Sequence, residues 1–412
     1  MRSFMNNRGT IDSRIDYSLI LPVFFLLVVG ILSLYIAVSQ DYPDIVLQMV
    51  GQQVAWIGIG VIAALIVMFF STKFLWQITP FLYVLGLGLM VLPLFFYSPD
   101  LVASTGAKNW VTIGDTTLFQ PSEFAKISYI IMLARVIVTF HKYHEEQSIK
   151  NDFKLIGYLT LFTIPVLTLL SLQSDFGTSL VFIAIFCGMV LLSGVSWKIL
   201  APISLVAFVL VAGFMLIFIS PGGTTLLHNL GMDTYQINRI SAWLDPFENA
   251  QTTTYQQAQS LIAIGSGGLK GIGFNQTNLF IPVRESDMIF TVIAENFGFI
   301  GSSVLIGLYL LLIYRILRVT LKSNNKYYTY ISTGYIMMLL FHVFENIGAA
   351  TGLLPLTGIP LPFISQGGSS MVANLIGIGL ILSMGYQYHL SNERDNDHSR
   401  KFKKITIKRL ER

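Results

Sequence analysis

The chain has 412 residues, of which 53% are hydrophobic and only 12% are charged, whereas soluble globular domains carry about 25% charged residues. This composition excludes an ordinary soluble domain, and it excludes intrinsic disorder, which requires low hydrophobicity and high charge. The net charge is +4, and Cys187 is the only cysteine, so a disulfide scaffold is excluded as well. The composition predicts an all-α polytopic membrane protein.

Ten stretches of the chain are apolar over about 20 residues, which is the length of a helix that crosses the hydrocarbon core. The first stretch is too long for a cleaved signal peptide, and nine more follow it. We therefore predict a short N-terminal segment (1–17), a membrane domain (18–388) with one large loop (221–287), and a basic tail (389–412). The predicted spans are 18–38, 53–71, 75–97, 124–140, 155–172, 176–193, 199–220, 288–314, 328–350 and 369–388.

The distribution of Lys and Arg predicts the orientation of these spans. If the N-terminus is cytoplasmic, 21 of these residues lie on the cytoplasmic side and only 5 on the other. Positive charge accumulates on the cytoplasmic side of membrane proteins, so both termini are predicted to be cytoplasmic. The tail sequence RKFKKITIKRLER is interpreted as a topology signal beside anionic lipids, and a specific cytoplasmic partner is the alternative. The five outer cations are Lys108, Lys126, Arg239, Lys270 and Arg284.

Polar, Gly-rich and Pro-rich sequence collects on the predicted outer face. It forms segments 98–126, 173–175, 221–287 and 351–370. Connecting loops are normally short, and binding or catalytic residues are concentrated on loops that a rigid scaffold positions. We therefore expect the working site on this face.

The first outer segment contains GAKNW (106–110) and QPSEFAK (120–126). Pro121 fits the first position of a helix, which places Glu123 and Lys126 on one face of its opening turn. These two charges are either a structural ion pair or groups that face a polar cavity. Trp110 either anchors the chain at the membrane interface or lines a sugar site by stacking.

Two more acids lie where an outer segment enters a span. Asp175, in QSDFGT (173–178), is interpreted either as a helix N-cap or as a carboxylate in a cavity. Asp287, in PVRESDMIF (282–290), either caps the eighth span or acts as a base. Partial burial at such a position raises the pKa of a carboxyl group and makes it a better base.

Several other kinds of site are not predicted. The six histidines do not cluster at metal-site spacing, and neither GxSxG nor HExxH occurs. The glycine-rich run 265–270 lacks the GK[ST] ending of a phosphate loop and a preceding strand. Nucleic-acid binding is not expected, because the basic tail lies next to the bilayer.

These segments together resemble the SEDS family of cell-wall synthases, the RodA/FtsW group. The most specific match is NIGAATGLLPLTGIPLPFISQGGSS (346–370), in which Gln366 stands where relatives have Tyr, Ser or Ala. GAKNW, QPSEFAK and QSDFGT agree as well, although Ser174 stands where many relatives have Pro. The run IAIGSGGLKGIG (262–273) is most similar to RodA, the elongation branch.

The resemblance implies a peptidoglycan glycosyltransferase that polymerises lipid II at the outer membrane face for cell elongation and shape. Asp287 matches the essential acid of the family, although its neighbours read ESDMIF where many relatives read HTDFIF. We expect Asp287 to act as general base. Lys126, Arg239, Lys270 and Arg284 are the candidates for contact with the leaving pyrophosphate. Glu123, Asp175, Trp110 and Ser365 are expected to complete the substrate cavity.

The resemblance also implies a class B penicillin-binding protein as partner, together with other elongation machinery, and a divalent cation, Mg²⁺ or Mn²⁺, for which the sequence predicts no ligand set. Two other functions stay open. The chain could be a lipid II flippase, although mid-span charges are scarce, or a non-catalytic scaffold for a transpeptidase. Polymer formation, headgroup translocation without polymer, or neither would separate the three.

Overall fold

The computed structural model describes residues 15–386, apart from 115, 145, 147, 249–253 and 278. The predicted basic tail and most of the predicted N-terminal segment lie outside these residues. Within them, the chain forms fourteen α-helices, two single-turn 3₁₀ helices (Pro43–Ile45 and Leu92–Leu94) and one two-stranded hairpin. The helices are α1 (Tyr17–Asp41), α2 (Val46–Met68), α3 (Thr72–Val91), α4 (Pro99–Thr105), α5 (Pro121–Tyr143), α6 (Ile149–Leu172), α7 (Phe176–Leu192), α8 (Trp197–Ile219), α9 (Gly223–Asn229), α10 (Thr234–Leu244), α11 (Tyr255–Gly267), α12 (Ile289–Ser323), α13 (Lys326–Ala350) and α14 (Gly368–Tyr386).

Eight of the described helices are long and apolar enough to cross a membrane: α1, α2, α3, α5, α6, α8, α12 and α14. The sequence predicted ten spans, and the two others correspond to α7 and α13. Helix α7 is apolar but has only 17 residues. Helix α13 has 25 residues but carries buried polar groups such as His342 and Asn346. Those groups are tolerated because α13 packs against α5, α7 and α12 and faces protein rather than lipid.

The bundle is built around α5, α13 and α14, which are mostly buried, whereas α8 is exposed along nearly its whole length. Glycines allow the closest contacts. A side chain on Gly30 of α1 would lie 2.6 Å from the Phe363 carbonyl oxygen, and one on Gly379 of α14 would lie 2.5 Å from that of Ala64 in α2. Small residues serve the same purpose in other membrane helices, where they let backbones approach.

Helix α12 is broken at Gly298, which has the left-handed φ of 63°. The glycine-rich run after α11 packs into this break: the amide of Phe299 donates to the Gly268 carbonyl at 2.9 Å, and that of Ile300 to the Leu269 carbonyl at 3.1 Å. A side chain on Gly298 would lie 2.4 Å from the Gly271 nitrogen. Within this run, Gly267 and Gly271 serve close backbone packing, because a side chain on either would lie 2.1 Å from a carbonyl oxygen of α12.

The predicted outer segments have structure of their own. The first contains α4 and a hairpin of β1 (Val111–Ile113) and β2 (Thr116–Phe119), which pair antiparallel with Thr112 opposite Thr117. The large loop contains α9, α10 and α11. Residues 351–367 are non-helical and lie against α1, as the contact of Gly30 with Phe363 indicates.

Candidate functional site

A cavity of about 1620 Å³ opens among the four outer segments. All four contribute to its wall, so segments that are far apart in the chain meet there. Besides Asp287, five of the predicted site residues line this cavity: Trp110, Glu123, Lys126, Asp175 and Arg239. The lining also includes Asn109, Gln120, Trp243, Ser286, Asp287 and His342.

Asp287 lies two residues before α12, where the large loop meets the bundle. Its carboxylate accepts a hydrogen bond from the Ser286 hydroxyl at 3.0 Å. Burial raises the pKa of the Asp287 carboxyl above its ordinary value, whereas the Ser286 hydrogen bond and the Arg239 guanidinium act to lower it. A carboxylate in this environment combines access to the cavity with raised basicity.

Arg239, in α10, and Asp287 both lie next to Gly358. Its Nη1 donates to the Leu356 carbonyl oxygen at 2.9 Å. A side chain on Gly358 would lie 3.2 Å from Asp287 Oδ2 and 3.7 Å from Arg239 Nη2. Gly358 also has φ of 80°, a conformation that favours glycine. Because Gly358 has no side chain, the Asp287 carboxylate and the Arg239 guanidinium can both approach this part of the backbone.

The backbone around Asp287 is held by the Pro-rich segment and α13. Asn346 Nδ2 donates to the Asp287 carbonyl at 2.7 Å and to the Ile359 carbonyl at 2.9 Å. The Ser365 hydroxyl donates to the Ser286 carbonyl at 2.6 Å and accepts from the Leu361 amide at 2.8 Å. Ser365 was predicted to line the cavity, but it does not belong to the cavity wall. It supports the turn that carries the acid.

Glu123 and Lys126 form an ion pair in the cavity wall, with Lys126 Nζ 2.8 Å from Glu123 Oε2. Lys126 Nζ also lies 3.2 Å from His342 Nε2 in α13, and the ammonium group must be the donor of that hydrogen bond. The two sequence-based interpretations are thus both realised. The pair links α5 to α13, and it also faces the cavity.

Asp175 likewise combines the two roles considered for it. As the N-cap of α7, it accepts from the Thr178 amide at 3.0 Å. Its other oxygen accepts from Asn109 Nδ2 at 2.8 Å and from Gln120 Nε2 at 3.4 Å. Asp175 therefore ties the first outer segment to α7 at the edge of the cavity.

Two predicted cations do not line the cavity. Lys270 is exposed in the turn after α11. Arg284 is buried, with its Nε 2.6 Å from Asp41 Oδ2 in α1. The sequence gives the distance of each cation from Asp287 along the chain, but not the direction of its side chain. The structure does not bring either of them together with Arg239 and Lys126.

Glu345 was missed by the sequence analysis. It is buried near the end of α13, and its Oε1 accepts from the amide of Thr357 at 3.2 Å and from the Thr357 hydroxyl. Its Oε2 is buried without a hydrogen-bond partner. An acid inside a predicted span is the signal that could have identified it.

The implied divalent cation does not fit a site made of protein side chains alone. Among the described residues, no three His, Cys, Asp or Glu side chains are grouped so that they could hold a metal ion. In the cavity, Asp287 is paired with the Ser286 hydroxyl and faces a guanidinium.

One wall of the cavity is apolar. It includes Val181 of α7 and Val211, Phe214 and Met215 of α8. Because α8 is apolar and exposed over nearly its whole length, this wall is suited to an apolar chain that remains in the bilayer.

Comparisons with known proteins agree with the motifs. Residues 15–389 match the family described as Cell cycle protein, which comprises FtsW, RodA and SpoVE. The chain is 33% identical to peptidoglycan glycosyltransferase MrdB of Escherichia coli K12, over 90% of this chain and 93% of that protein. It is 30% identical to stage V sporulation protein E of Bacillus subtilis 168, over 90% and 96% of the two chains.

Comparison with solved structures indicates the same family. One chain from a peptidoglycan synthase complex, described for its coordination of polymerization and crosslinking, matches with a TM-score of 0.70 at 27% identity, over 90% of this chain and 98% of that one. The rod shape determining protein RodA of Thermus thermophilus matches with a TM-score of 0.61 at 28% identity, over 90% and 96%. This multi-pass membrane protein therefore belongs to the FtsW/RodA/SpoVE family, the SEDS family that its motifs resemble.

Proposed function

We propose that the chain is a peptidoglycan glycosyltransferase that polymerises lipid II into β-1,4-linked glycan strands at the outer face of the bacterial cytoplasmic membrane. The relatives named as peptidoglycan glycosyltransferases support the activity. The observation that carries the proposal in this chain is Asp287, a half-buried carboxylate in the wall of a large cavity beside Arg239.

In the proposed reaction, Asp287 removes the proton from the 4-hydroxyl of the acceptor GlcNAc. That oxygen attacks the anomeric carbon of the donor MurNAc, and the bond from this carbon to the pyrophosphate oxygen breaks. The donor is α-linked and the product is β-linked, so one displacement with one base accounts for the inversion, and no covalent intermediate is needed. The proton ends on Asp287 and is released to water.

The leaving group is undecaprenyl pyrophosphate, which requires positive charge as the bond breaks. Arg239 is the first candidate for this charge, because it lines the cavity and its guanidinium lies next to Gly358, as the Asp287 carboxylate does. Lys126 is the second, although its charge is partly offset by Glu123. The apolar wall formed with α8 would let the undecaprenyl chain stay in the bilayer while the headgroup enters the cavity.

Two further elements of the proposal concern partners. The structural relative from a peptidoglycan synthase complex supports assembly with a crosslinking enzyme, and we propose that this is a class B penicillin-binding protein, within the machinery for cell elongation. The cation Mg²⁺ or Mn²⁺ remains part of the proposal as a group that substrate phosphates would help to bind.

The test is polymerisation of lipid II by the purified full-length protein, compared with Asp287→Asn. We expect glycan strands from the parent protein and a loss of kcat on the order of 10²- to 10⁴-fold in the variant, the range for removal of a general base. Asp100→Asn is the matched control, because Asp100 is an exposed acid on the same outer face and does not line the cavity.

The outcomes separate the alternatives. Full activity of Asp287→Asn would remove Asp287 as the base. Transfer of the lipid II headgroup across vesicle membranes without polymer would favour the flippase, and neither activity would favour the scaffold.

A further inference from the structure

The turn that carries Asp287 is connected to the outer end of α1 by a buried ion pair. The side chains of Arg284 and Asp41 are 1% and 5% exposed. Arg284 Nε lies 2.6 Å from Asp41 Oδ2, and Nη2 donates to Asp41 Oδ1 at 2.9 Å. The Nη2 hydrogen bond and the close approach of Nε together hold the two charges against each other, and Nε itself is not aligned for a hydrogen bond.

The rest of the Arg284 guanidinium is also occupied. Nη1 donates to the Thr277 hydroxyl at 3.0 Å and to the Leu279 carbonyl oxygen at 3.2 Å. Arg284 therefore joins three parts of the chain: α1, the residues Thr277 and Leu279, and its own turn. Since Nη1 and Nη2 both donate to groups of the protein and Arg284 does not line the cavity, it is poorly placed to bind a substrate phosphate.

Neighbouring contacts reinforce the same connection. The Ser39 hydroxyl donates to Asn275 Oδ1 at 2.7 Å, and Gln40 Nε2 donates to the Asn275 carbonyl at 2.8 Å. The last turn of α1 thus holds the chain at Asn275 and again at Arg284, on either side of the stretch that leads to Asp287.

The backbone conformation of residues 283–287 explains why neighbouring side chains of this turn contact different parts of the protein. Val283 has a left-handed φ of 56°, which is uncommon for a β-branched residue. After this reversal, Arg284 points towards α1, whereas Ser286 and Asp287 line the cavity. The turn is held from the other side by hydrogen bonds from Ser365 and from the Gln366 amide, which donates to the Glu285 carbonyl at 2.9 Å.

We propose that Arg284 is a positioning residue for the glycosyltransferase reaction, and that its ion pair with Asp41 uses α1 as a fixed support for the turn 283–287. The inference rests on the proposed function for its kinetic consequence. Its structural part is independent of that function. If the ion pair is lost, Asp287 keeps its chemistry but no longer its place relative to the two sugars.

The kinetic test is a double-mutant cycle in the full-length protein with lipid II, using Asp41→Asn, Arg284→Gln and the double variant. Each single variant leaves one partner charged and unpaired, so we expect kcat to fall on the order of 10²-fold, the effect of a displacement of about 1 Å in an active site. KM should change by less than about threefold, because no substrate contact is removed. The double variant should lose no more than the worse single variant.

Multiplying losses in the double variant, or unchanged kcat in the singles, would overturn the proposal. Asp44→Asn is the matched control, because Asp44 is an exposed acid three residues beyond Asp41. If the parent protein makes no polymer at all, the proposed function fails, and the anchoring role is then tested by the structural measurement alone.

That measurement is amide hydrogen exchange, with Arg284→Lys as the variant. An unpaired buried charge can prevent folding, whereas a lysine keeps the charge near Asp41 and lacks the second nitrogen that reaches Thr277 and Leu279. We expect faster exchange in residues 279–287 and unchanged exchange in α5. Exchange in 279–287 equal to that of the parent protein would show that Arg284 does not hold the turn.

Discussion

At Asp287, opposing effects act on one carboxyl group. Burial raises its pKa, and the Ser286 hydroxyl and the Arg239 guanidinium lower it. A general base works only when it is deprotonated, so the rate should fall as the pH drops through this pKa. Because the pKa is raised, that fall should begin at a higher pH than for an exposed aspartate.

Arg239→Gln should move this acidic limb further. Removing the positive charge removes one of the effects that lower the Asp287 pKa. The carboxyl group then stays protonated up to a higher pH, and the acidic limb of kcat/KM against pH should shift upward. The maximal rate should fall as well, because a cation for the leaving pyrophosphate is lost.

Arg239→Lys is the control for that shift. It keeps the charge near Asp287 while losing the planar donor group, so its acidic limb should stay close to that of the parent protein even if its rate is lower. An acidic limb at the same pH in the glutamine and lysine variants would show that the Arg239 charge does not act on the base.

The limit of sequence reasoning at this scale is side-chain direction. The motifs predicted Asp287, Arg239, Glu123, Lys126 and Asp175, all of which line the cavity. Arg284 and Ser365 come from the same motifs, but Arg284 is turned towards α1, and Ser365 donates to the backbone beneath Asp287. The backbone reverses just before Arg284, at the positive φ of Val283. No residue pattern in the sequence indicated this reversal.

Among the elements, the long apolar helices were predictable and their breaks were not. Apolar length identifies α1, α2 and α8 directly, because lipid contact demands it. The break in α12 at Gly298 depends on a glycine-rich run that is distant in the chain and packs into it. Such a contact has no local signature, because a glycine inside an apolar span is common in membrane helices.

The close packing of α1 against residues 363–364 can be tested by a substitution at Gly30. Gly30→Ala would place a methyl group 2.6 Å from the Phe363 carbonyl oxygen and 2.9 Å from Ile364 Cα, both of which are backbone atoms. The added atom cannot be accommodated by a side-chain rotation, so we expect a loss of stability of about 1–3 kcal/mol, typical of overpacking. Thermal unfolding in detergent would measure it.

Gly58→Ala in α2 is the matched control, because nothing lies within 4 Å of the side chain that would be added. Helix propensity alone should then stabilise the variant by up to about 1 kcal/mol. Equal effects of the two substitutions would mean that α1 does not approach the 363–364 backbone as closely as described.

For the whole molecule, the orientation in the membrane is predicted by the distribution of Lys and Arg. The outer segments that meet at the cavity are those the Lys and Arg count placed outside. Eight described helices meet the criteria for a span, and α7 and α13 bring the number to ten. Both numbers are even, and an even number of crossings would put the two ends of the bundle on the same side of the membrane, as the charge distribution predicts. Apolar length predicted the bundle, but only the folded chain brings its four outer segments into one cavity.

The orientation itself can be tested with single cysteines. In a chain carrying Cys187→Ser, Lys270→Cys lies in the exposed turn after α11, and Lys322→Cys lies at the opposite end of α12. Positive charge predicts that Lys322 is cytoplasmic and Lys270 is outside. A membrane-impermeant maleimide should therefore label Lys270→Cys in intact bacterial cells from which any outer membrane has been removed, and Lys322→Cys only after the cells are permeabilised. The reverse pattern would place the Asp287 cavity on the cytoplasmic side, where no glycan strand is assembled, and would contradict the proposed reaction.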